Sequence, residues 1–143
     1  MSNIEKRIEY HSNGQKKLEG TYKNSKKHGL VTVWHENGQK VIEGTWKDGE
    51  QNGLWTYWHE NGQKEHEEIY KNGYRDGLFT RWYENGQKEY EGTYKDGKED
   101  GLSIGWFENG QKEEENNYKY GQLISQNCWD KNGRLETEWR RKY

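Results

Sequence analysis

The sequence predicts an all-β fold: an elongated antiparallel β-meander, in a single twisted sheet, built from tandem 24-residue β-hairpin repeats. Three observations predict it. Turn-type residue pairs recur at a fixed spacing, Gly and Asn interrupt every stretch that could be helical, and no proline occurs in 143 residues. Proline would remove hydrogen bonds from the ladder of a sheet, so its absence suits continuous strands.

Asn-Gly pairs set the spacing of the repeats. Five pairs follow one another at intervals of 24 residues and a sixth comes 23 residues later, so the pairs begin at Asn13, Asn37, Asn61, Asn85, Asn109 and Asn132. A glutamate keeps the same phase at Glu19, Glu43, Glu67, Glu91 and Glu115. Two aromatic series do so at Tyr22, Trp46, Tyr70, Tyr94 and Tyr118, and at Tyr10, Trp34, Trp58, Trp82, Trp106 and Trp129. Such recurrence indicates copies of one structural unit.

The second unit, residues 34–57, shows why each copy is predicted to be a hairpin. Asn37-Gly38 and Asp48-Gly49 both suit type I′ turns, in which the two central residues have positive φ. About nine residues separate the turns, which is a normal strand length. We therefore predict one domain over residues 1–143, with an N-terminal edge strand at 1–9, five hairpin repeats at 10–128 (repeats 1 to 5 below) and a partial C-terminal capping repeat at 129–143.

Two strand registers are compatible with the sequence after the second turn of the unit. Simple pairing places Gly44 opposite Gly53. A one-residue bulge would instead move Leu54 and Trp58 to the face that carries Trp46. The sequence leaves both registers open.

The composition predicts a thin, folded chain with an aromatic interior. Only 27% of the residues are hydrophobic and the mean hydropathy is -1.62, but the net charge is -2 and aromatic residues reach 15%. Large rings bury much area per residue, so we expect the repeating tryptophans to form the core. These are Trp34, Trp58, Trp82 and Trp106.

Charge and hydropathy also bear on partners and location. The near-neutral balance argues against nucleic-acid binding, which needs a strongly basic face. The single Cys128 forms no internal disulfide, which suits a reducing compartment. The sequence shows neither a signal peptide nor a segment long enough to cross a bilayer, so we expect a cytoplasmic location and regard membrane binding as disfavoured.

The ionisable residues do not suggest an enzyme, a metal site or a cofactor. His11, His35 and His59 share one repeat phase, so they stand two strands or about 9–10 Å apart, too far to bind one zinc ion together. The glutamate series has the same spacing and is more simply a solvated face of the sheet. Its predicted cross-strand partners are Lys47, Lys71 and Lys95.

Several aromatic residues lie outside the repeating frame. A thin sheet is not expected to bury all of them, and exposed rings are favoured anchors in protein interfaces. We therefore predict a patch that binds another protein, centred on repeats 2 to 4. Its candidate residues are Trp55, Tyr57, Tyr74, Phe79, Tyr83, Tyr90 and Phe107.

The repeat resembles a known family. Residues 90–101, YEGTYKDGKEDG, look like a MORN repeat, and the added Asn-Gly-Gln-Lys turn and the 24-residue period resemble the MORN-variant subfamily of bacteria over roughly residues 10–133. Glu68 and Asn116 depart from it by replacing the strand glycine, and Ile69 replaces a threonine, so those units are expected to be locally weaker or differently twisted.

The resemblance implies a function in binding. Many bacterial MORN-variant proteins are similar to antitoxin or immunity proteins, which neutralise a partner toxin by direct contact. The alternatives are a structural scaffold, with copies associating through open sheet edges, and lipid or carbohydrate binding through the aromatic rows. Fold alone does not choose among these functions.

Overall fold

The computed structural model describes residues 1–136 and contains fifteen strands and no helix within them. The strands are β1 (Ile4–Tyr10), β2 (Lys16–Lys23), β3 (Lys26–Lys27), β4 (Gly29–Trp34), β5 (Lys40–Lys47), β6 (Glu50–Gln51), β7 (Gly53–Trp58), β8 (Lys64–Lys71), β9 (Tyr74–Arg75), β10 (Gly77–Trp82), β11 (Lys88–Lys95), β12 (Lys98–Glu99), β13 (Gly101–Trp106), β14 (Lys112–Lys119) and β15 (Gln122–Cys128).

All of these strands belong to one antiparallel sheet. The order is β1-β2-β4-β5-β7-β8-β10-β11-β13-β14-β15, and the short β3, β6, β9 and β12 pair with β2, β5, β8 and β11. The predicted meander of hairpin repeats is confirmed. Residues 137–143 of the predicted capping repeat lie outside the described residues, whereas an isolated bridge between Trp129 and Leu135 shows the chain turning back beside β15.

The two turns of each repeat differ in type. Asp48 and Gly49 both have positive φ, at 49° and 85°, so the predicted type I′ turn is confirmed there. At Asn37-Gly38 the same prediction is wrong, because only the glycine has positive φ. The Asn37 side chain accepts a hydrogen bond from the Gln39 amide at 2.9 Å, which stabilises a longer loop in which the glycine alone is left-handed.

The register after Asp48-Gly49 matches neither of the two open alternatives. Gln51 lies opposite Trp46, but Tyr57 lies opposite Ile42, which is two residues further along than simple pairing would place it. Gly53, at φ 81°, lies where the register shifts. Gly44 therefore does not face Gly53. Because the shift is an even number of residues, the side chains of the unit keep the faces that simple alternation gives them.

A one-residue bulge also occurs near the other turn of each repeat. Ile42 pairs with Val33, but Lys40 pairs with Trp34, so Val41 has no partner in the ladder. The bulge brings side chains three residues apart to the same face, since Lys40 lies 2.8 Å from Glu43. It therefore explains why the glutamate series pairs with the lysine of its own strand.

The core is formed by residues outside the repeating aromatic frame. Trp55 and Phe79 are 4% and 5% exposed, and Cys128 is also buried. The repeating tryptophans are only half-buried, so the expectation that they form the core is wrong. Trp58, Trp82 and Trp106 each lie beneath a lysine from the preceding repeat, and Lys40 lies 5.6 Å from the centre of the Trp58 ring.

Candidate functional site

One face of the sheet, here called the aromatic face, carries the buried rings. Its central row runs across the strands at the level of the strand glycines. Neighbours in this row alternate between the eight-residue strands, such as β2 and β5, and the six-residue strands, such as β4 and β7. In order, the row contains Gly20, Val31, Gly44, Trp55, Glu68, Phe79, Gly92, Ser103 and Asn116.

Trp55 is held in the row by a strand glycine. A Cβ atom on Gly44 would lie 2.1 Å from Cδ2 of Trp55, so the indole ring packs directly on the glycine backbone. The ring also meets Trp46 edge-to-face at 5.1 Å, and its Nε1 donates a hydrogen bond to the carbonyl of Thr45 at 3.1 Å. Only glycine at position 44 leaves room for this arrangement.

Glu68 occupies the next glycine position and is buried. Its Oε2 lies 2.8 Å from Nε of Arg75, and the hydroxyl of Tyr70 donates to its Oε1 at 2.9 Å. The guanidinium of Arg75 also lies 5.3 Å from the centre of the Phe79 ring. The carboxylate that replaces glycine is therefore matched by a cation and a hydroxyl, within reach of a buried ring.

A second row of the aromatic face stacks rings from neighbouring repeats. Tyr57 and His66 are nearly parallel, with ring centres 4.1 Å apart, and Phe79 lies 5.7 Å beyond His66. Burial raises the pKa of Tyr57 to about 12 and lowers the pKa of His66. Burial also raises the pKa of Tyr90, whose hydroxyl donates to Glu99 at 2.7 Å. Both tyrosines are thus held as neutral phenols at neutral pH.

The structure brings together four of the seven candidate partner-binding residues. Trp55, Tyr57, Phe79 and Tyr90 share the aromatic face, the first and third buried and the other two half-buried. A role of these four residues in binding a partner stays a prediction.

The other three candidate residues do not join this cluster. Tyr74 is 65% exposed and lies at the ends of the strands that are joined by the Asp-Gly turns, against the turn at Gly97. Tyr83 and Phe107 lie at the opposite ends of the strands, beside the Asn-Gly turns, where the Tyr83 hydroxyl donates to the carbonyl of Trp106 at 2.7 Å. The seven residues therefore do not form one continuous patch.

Two of the three histidines that share one phase, His11 and His59, connect neighbouring repeats. Nε2 of His11 lies 2.8 Å from the carbonyl of Trp34, and Nε2 of His59 lies 2.9 Å from the carbonyl of Trp82. Tyr83 makes the equivalent contact in repeat 4. The sequence showed the phase of these residues but not their bridging role. Within residues 1–136, no group of three His, Cys, Asp or Glu side chains could hold a metal ion.

The other face of the sheet carries a ladder of ion pairs. Each glutamate pairs with the lysine three residues before it, so Lys47, Lys71 and Lys95 are not the partners, contrary to expectation. At Glu19, hydrogen bonds from Lys16 and Lys6 lower the pKa to about 2. This face also exposes a row of leucines, which are Leu30, Leu54, Leu78 and Leu102.

A shallow cavity opens on the aromatic face in repeats 1 and 2. Its volume is about 220 Å³, and its walls are mostly aliphatic and aromatic, formed by Leu18, Val31, Ile42, Trp46 and Trp55 among others. Lys27 stands at its margin, with Nζ 4.6 Å from the Trp46 ring centre. Sequence reasoning missed this cavity, which depends on the register shift.

A family model described as MORN repeat variant matches residues 6–24, 27–48, 51–72, 75–96 and 99–120. No curated protein matches the chain. Residues 1–136 contain no helix long and apolar enough to span a membrane.

Proposed function

We propose that this chain, which belongs to the MORN repeat variant family, is a non-catalytic module that binds another protein through its aromatic face. Repeats of this family are generally protein- or membrane-binding modules, and their fold is generally non-catalytic. The observation that carries the proposal is that the aromatic face has no second layer over it within residues 1–136. The half-buried rings of this face, Tyr57 and Tyr90, are therefore left partly exposed to a partner, whereas Trp55 and Phe79 are already buried.

The rings of this face are already fixed in place, which favours tight binding. The backbone of Gly44 and the carbonyl of Thr45 position Trp55, and stacking on His66 restrains Tyr57. Side chains that are ordered before binding lose little conformational entropy when a partner arrives. Tyrosine and tryptophan are also the residue types that most often dominate interface energetics.

The specific role that we propose is neutralisation of a toxin in the cytoplasm by direct contact. The support for this role is the resemblance of the Asn-Gly-Gln-Lys turn and the 24-residue period to bacterial MORN-variant proteins similar to antitoxins. A rigid, uncovered face is suited to masking a surface of another protein. Co-expression with the product of an adjacent toxin gene should restore growth, and failure of every such pairing would contradict this role.

Binding through the aromatic face can be tested with two variants of the same strand. Tyr57 lies on the aromatic face, and Leu54, which is 51% exposed, lies on the other. We expect Tyr57→Ala to abolish capture of a partner from the source cell, and Leu54→Ala to leave the capture unchanged. Circular dichroism should first show that both variants are folded. Equal capture by Tyr57→Ala and the unchanged chain would refute the assignment.

One observation favours self-association as a second candidate function. Strand β1 pairs with β2 along one edge, and no described residue pairs with its other edge, where Ile4 is exposed. Exposed strand edges are templates for pairing with another chain. Sedimentation should then show a mass that grows with concentration, and a monomer at every concentration would exclude this candidate.

A further inference from the structure

Repeats 1 and 3 can be compared position by position, because they are related by 48 residues. Three positions differ in a way that matters for the cavity, and in repeat 3 they are occupied by Glu68, Arg75 and Phe79. These side chains form a closed set, since the guanidinium lies 2.8 Å from the carboxylate and 5.3 Å from the ring centre. The repeat thus supplies its own carboxylate, cation and ring.

Repeat 1 supplies only one of these three groups. The corresponding residues are Gly20, Lys27 and Val31, so the cation is present but the carboxylate and the ring are missing. Lys27 contacts the Trp46 ring at 4.6 Å and forms no ion pair with any described residue. Arg7, which lies opposite Gly20 on β1, is already paired with Glu9 at 2.8 Å.

The missing ring leaves the cavity of about 220 Å³. In repeat 2, the position equivalent to Val31 is Trp55, which presses on Gly44 so closely that an added Cβ would lie 2.1 Å from the ring. On Gly20 an added Cβ would meet Val31 at 3.4 Å, which is ordinary van der Waals contact. Val31 therefore fills only part of the space that a ring fills in the next two repeats.

We propose that this cavity is a pocket for an aromatic side chain of the partner protein, and that Lys27 binds a carboxylate next to that ring. The inference rests on the proposed function and names the chemistry of the partner: an aromatic residue at its carboxyl terminus, where the ring and the carboxylate belong to one residue. Small-molecule sites are commonly about 300–1,000 Å³, so the smaller cavity suits one side chain. The positive charge of Lys27 complements the carboxylate.

Two probes test the proposal on the full chain. N-acetyl-L-tryptophan carries the ring and the carboxylate, and N-acetyl-L-tryptophanamide carries the ring alone. In titrations followed by amide NMR, we expect saturable shifts centred on Gly20, Val31 and Trp46. The amide should bind roughly two- to fivefold more weakly, which is the effect expected of an exposed ion pair. Absence of saturable binding of the acid would overturn the pocket, and equal binding of both probes would overturn the role of Lys27.

The other repeats provide the variants. Val31→Trp places the repeat 2 residue in the pocket, so it should fold and abolish binding of both probes. Lys27→Gln introduces the residue found at Gln51, so it should keep ring binding but lose the preference for the acid. If Val31→Trp keeps the well-dispersed amide spectrum and still binds N-acetyl-L-tryptophan, the location is wrong.

Partner capture separates this inference from the proposed function. If capture requires Tyr57 but survives both Val31→Trp and Lys27→Gln, the aromatic face is the interface and the pocket inference fails. If capture survives Tyr57→Ala as well, the proposed function fails. Loss of capture in all three variants supports both.

Discussion

The ion pair between Glu68 and Arg75 can be tested by exchanging both residues for those of repeat 2, where Gly44 and Gln51 occupy the same positions. The side chain of Glu68 is 4% exposed and that of Arg75 is 40% exposed. Removing one partner from a buried pair costs about 3–5 kcal/mol, and the partial hydration of Arg75 reduces our expectation for Arg75→Gln to about 2–3 kcal/mol. The cost arises because a carboxylate stays buried without its cation.

The double variant should be more stable than the variant that carries Arg75→Gln alone. Glu68→Gly removes the buried charge, and we expect it to cost about 1 kcal/mol, mostly because glycine weakens a strand. With the carboxylate gone, adding Arg75→Gln should cost almost nothing, so the coupling between the two sites should be about 2–3 kcal/mol.

Urea unfolding followed by tryptophan fluorescence provides the measurement, with the free energy of unfolding obtained by linear extrapolation. All four members of the cycle should be compared at pH 7 and at one salt concentration. A coupling below about 0.5 kcal/mol would refute the reasoning, since that is within the additivity expected of independent sites.

Three further predictions concern single residues. The pKa of Glu19 is lowered from 4.5 to about 2, so its ion pairs stabilise the fold above pH 4.5 and this contribution is lost as the pH falls towards 2. Thermal melts of Glu19→Gln should lack this part of the acid dependence. A pH profile identical to that of the unchanged chain would contradict the prediction. The pKa of Tyr57 is raised from 10 to about 12, so the stability of the fold should fall as the pH rises through this range. Tyr57→Phe should remove one late step from the ultraviolet titration of the phenols. A titration identical to that of the unchanged chain would refute this assignment of the raised pKa. Asn61 donates to the carbonyl of Glu84 at 2.9 Å and accepts from the Gln63 amide at 3.0 Å. Asn61→Asp keeps only the acceptor and should lower the free energy of unfolding in urea by about 1 kcal/mol, and Asn61→Ala should lower it more. The reverse order would be inconsistent with these two hydrogen bonds.

The fold could be predicted because its main signals are local. Asn-Gly and Asp-Gly turns, the interval of 24 residues and the absence of proline all act within one repeat, and each copy restates them. The turn type at Asn37-Gly38 could not be predicted in the same way. Asn-Gly and Asp-Gly both allow positive φ at two residues, and the choice depends on whether the asparagine side chain binds the Gln39 amide.

The core and the site were harder to predict because they depend on register. Both faces of the sheet carry rings, so alternation alone does not show which face is buried. The two-residue shift at Gly53 places Trp55 on Gly44, and this buries the rings that do not recur. Glu68 was recognisable as a departure from the pattern, but its partner Arg75 lies on a short strand beyond the turn, and only the register reveals the pair.

The bridges from one Asn-Gly turn to the next also bear on how such chains change in length. Asn13, Asn61 and Asn85 each donate to a backbone carbonyl 23 residues ahead, and His11 and His59 reach across the same interval. A deletion of a few residues would misalign every such contact at its boundary. Duplication or excision of one whole unit would instead keep a backbone carbonyl 23 residues ahead of each donor. Genes of this kind are therefore expected to grow and shrink by complete modules, while point substitutions within a module change what its surface recognises.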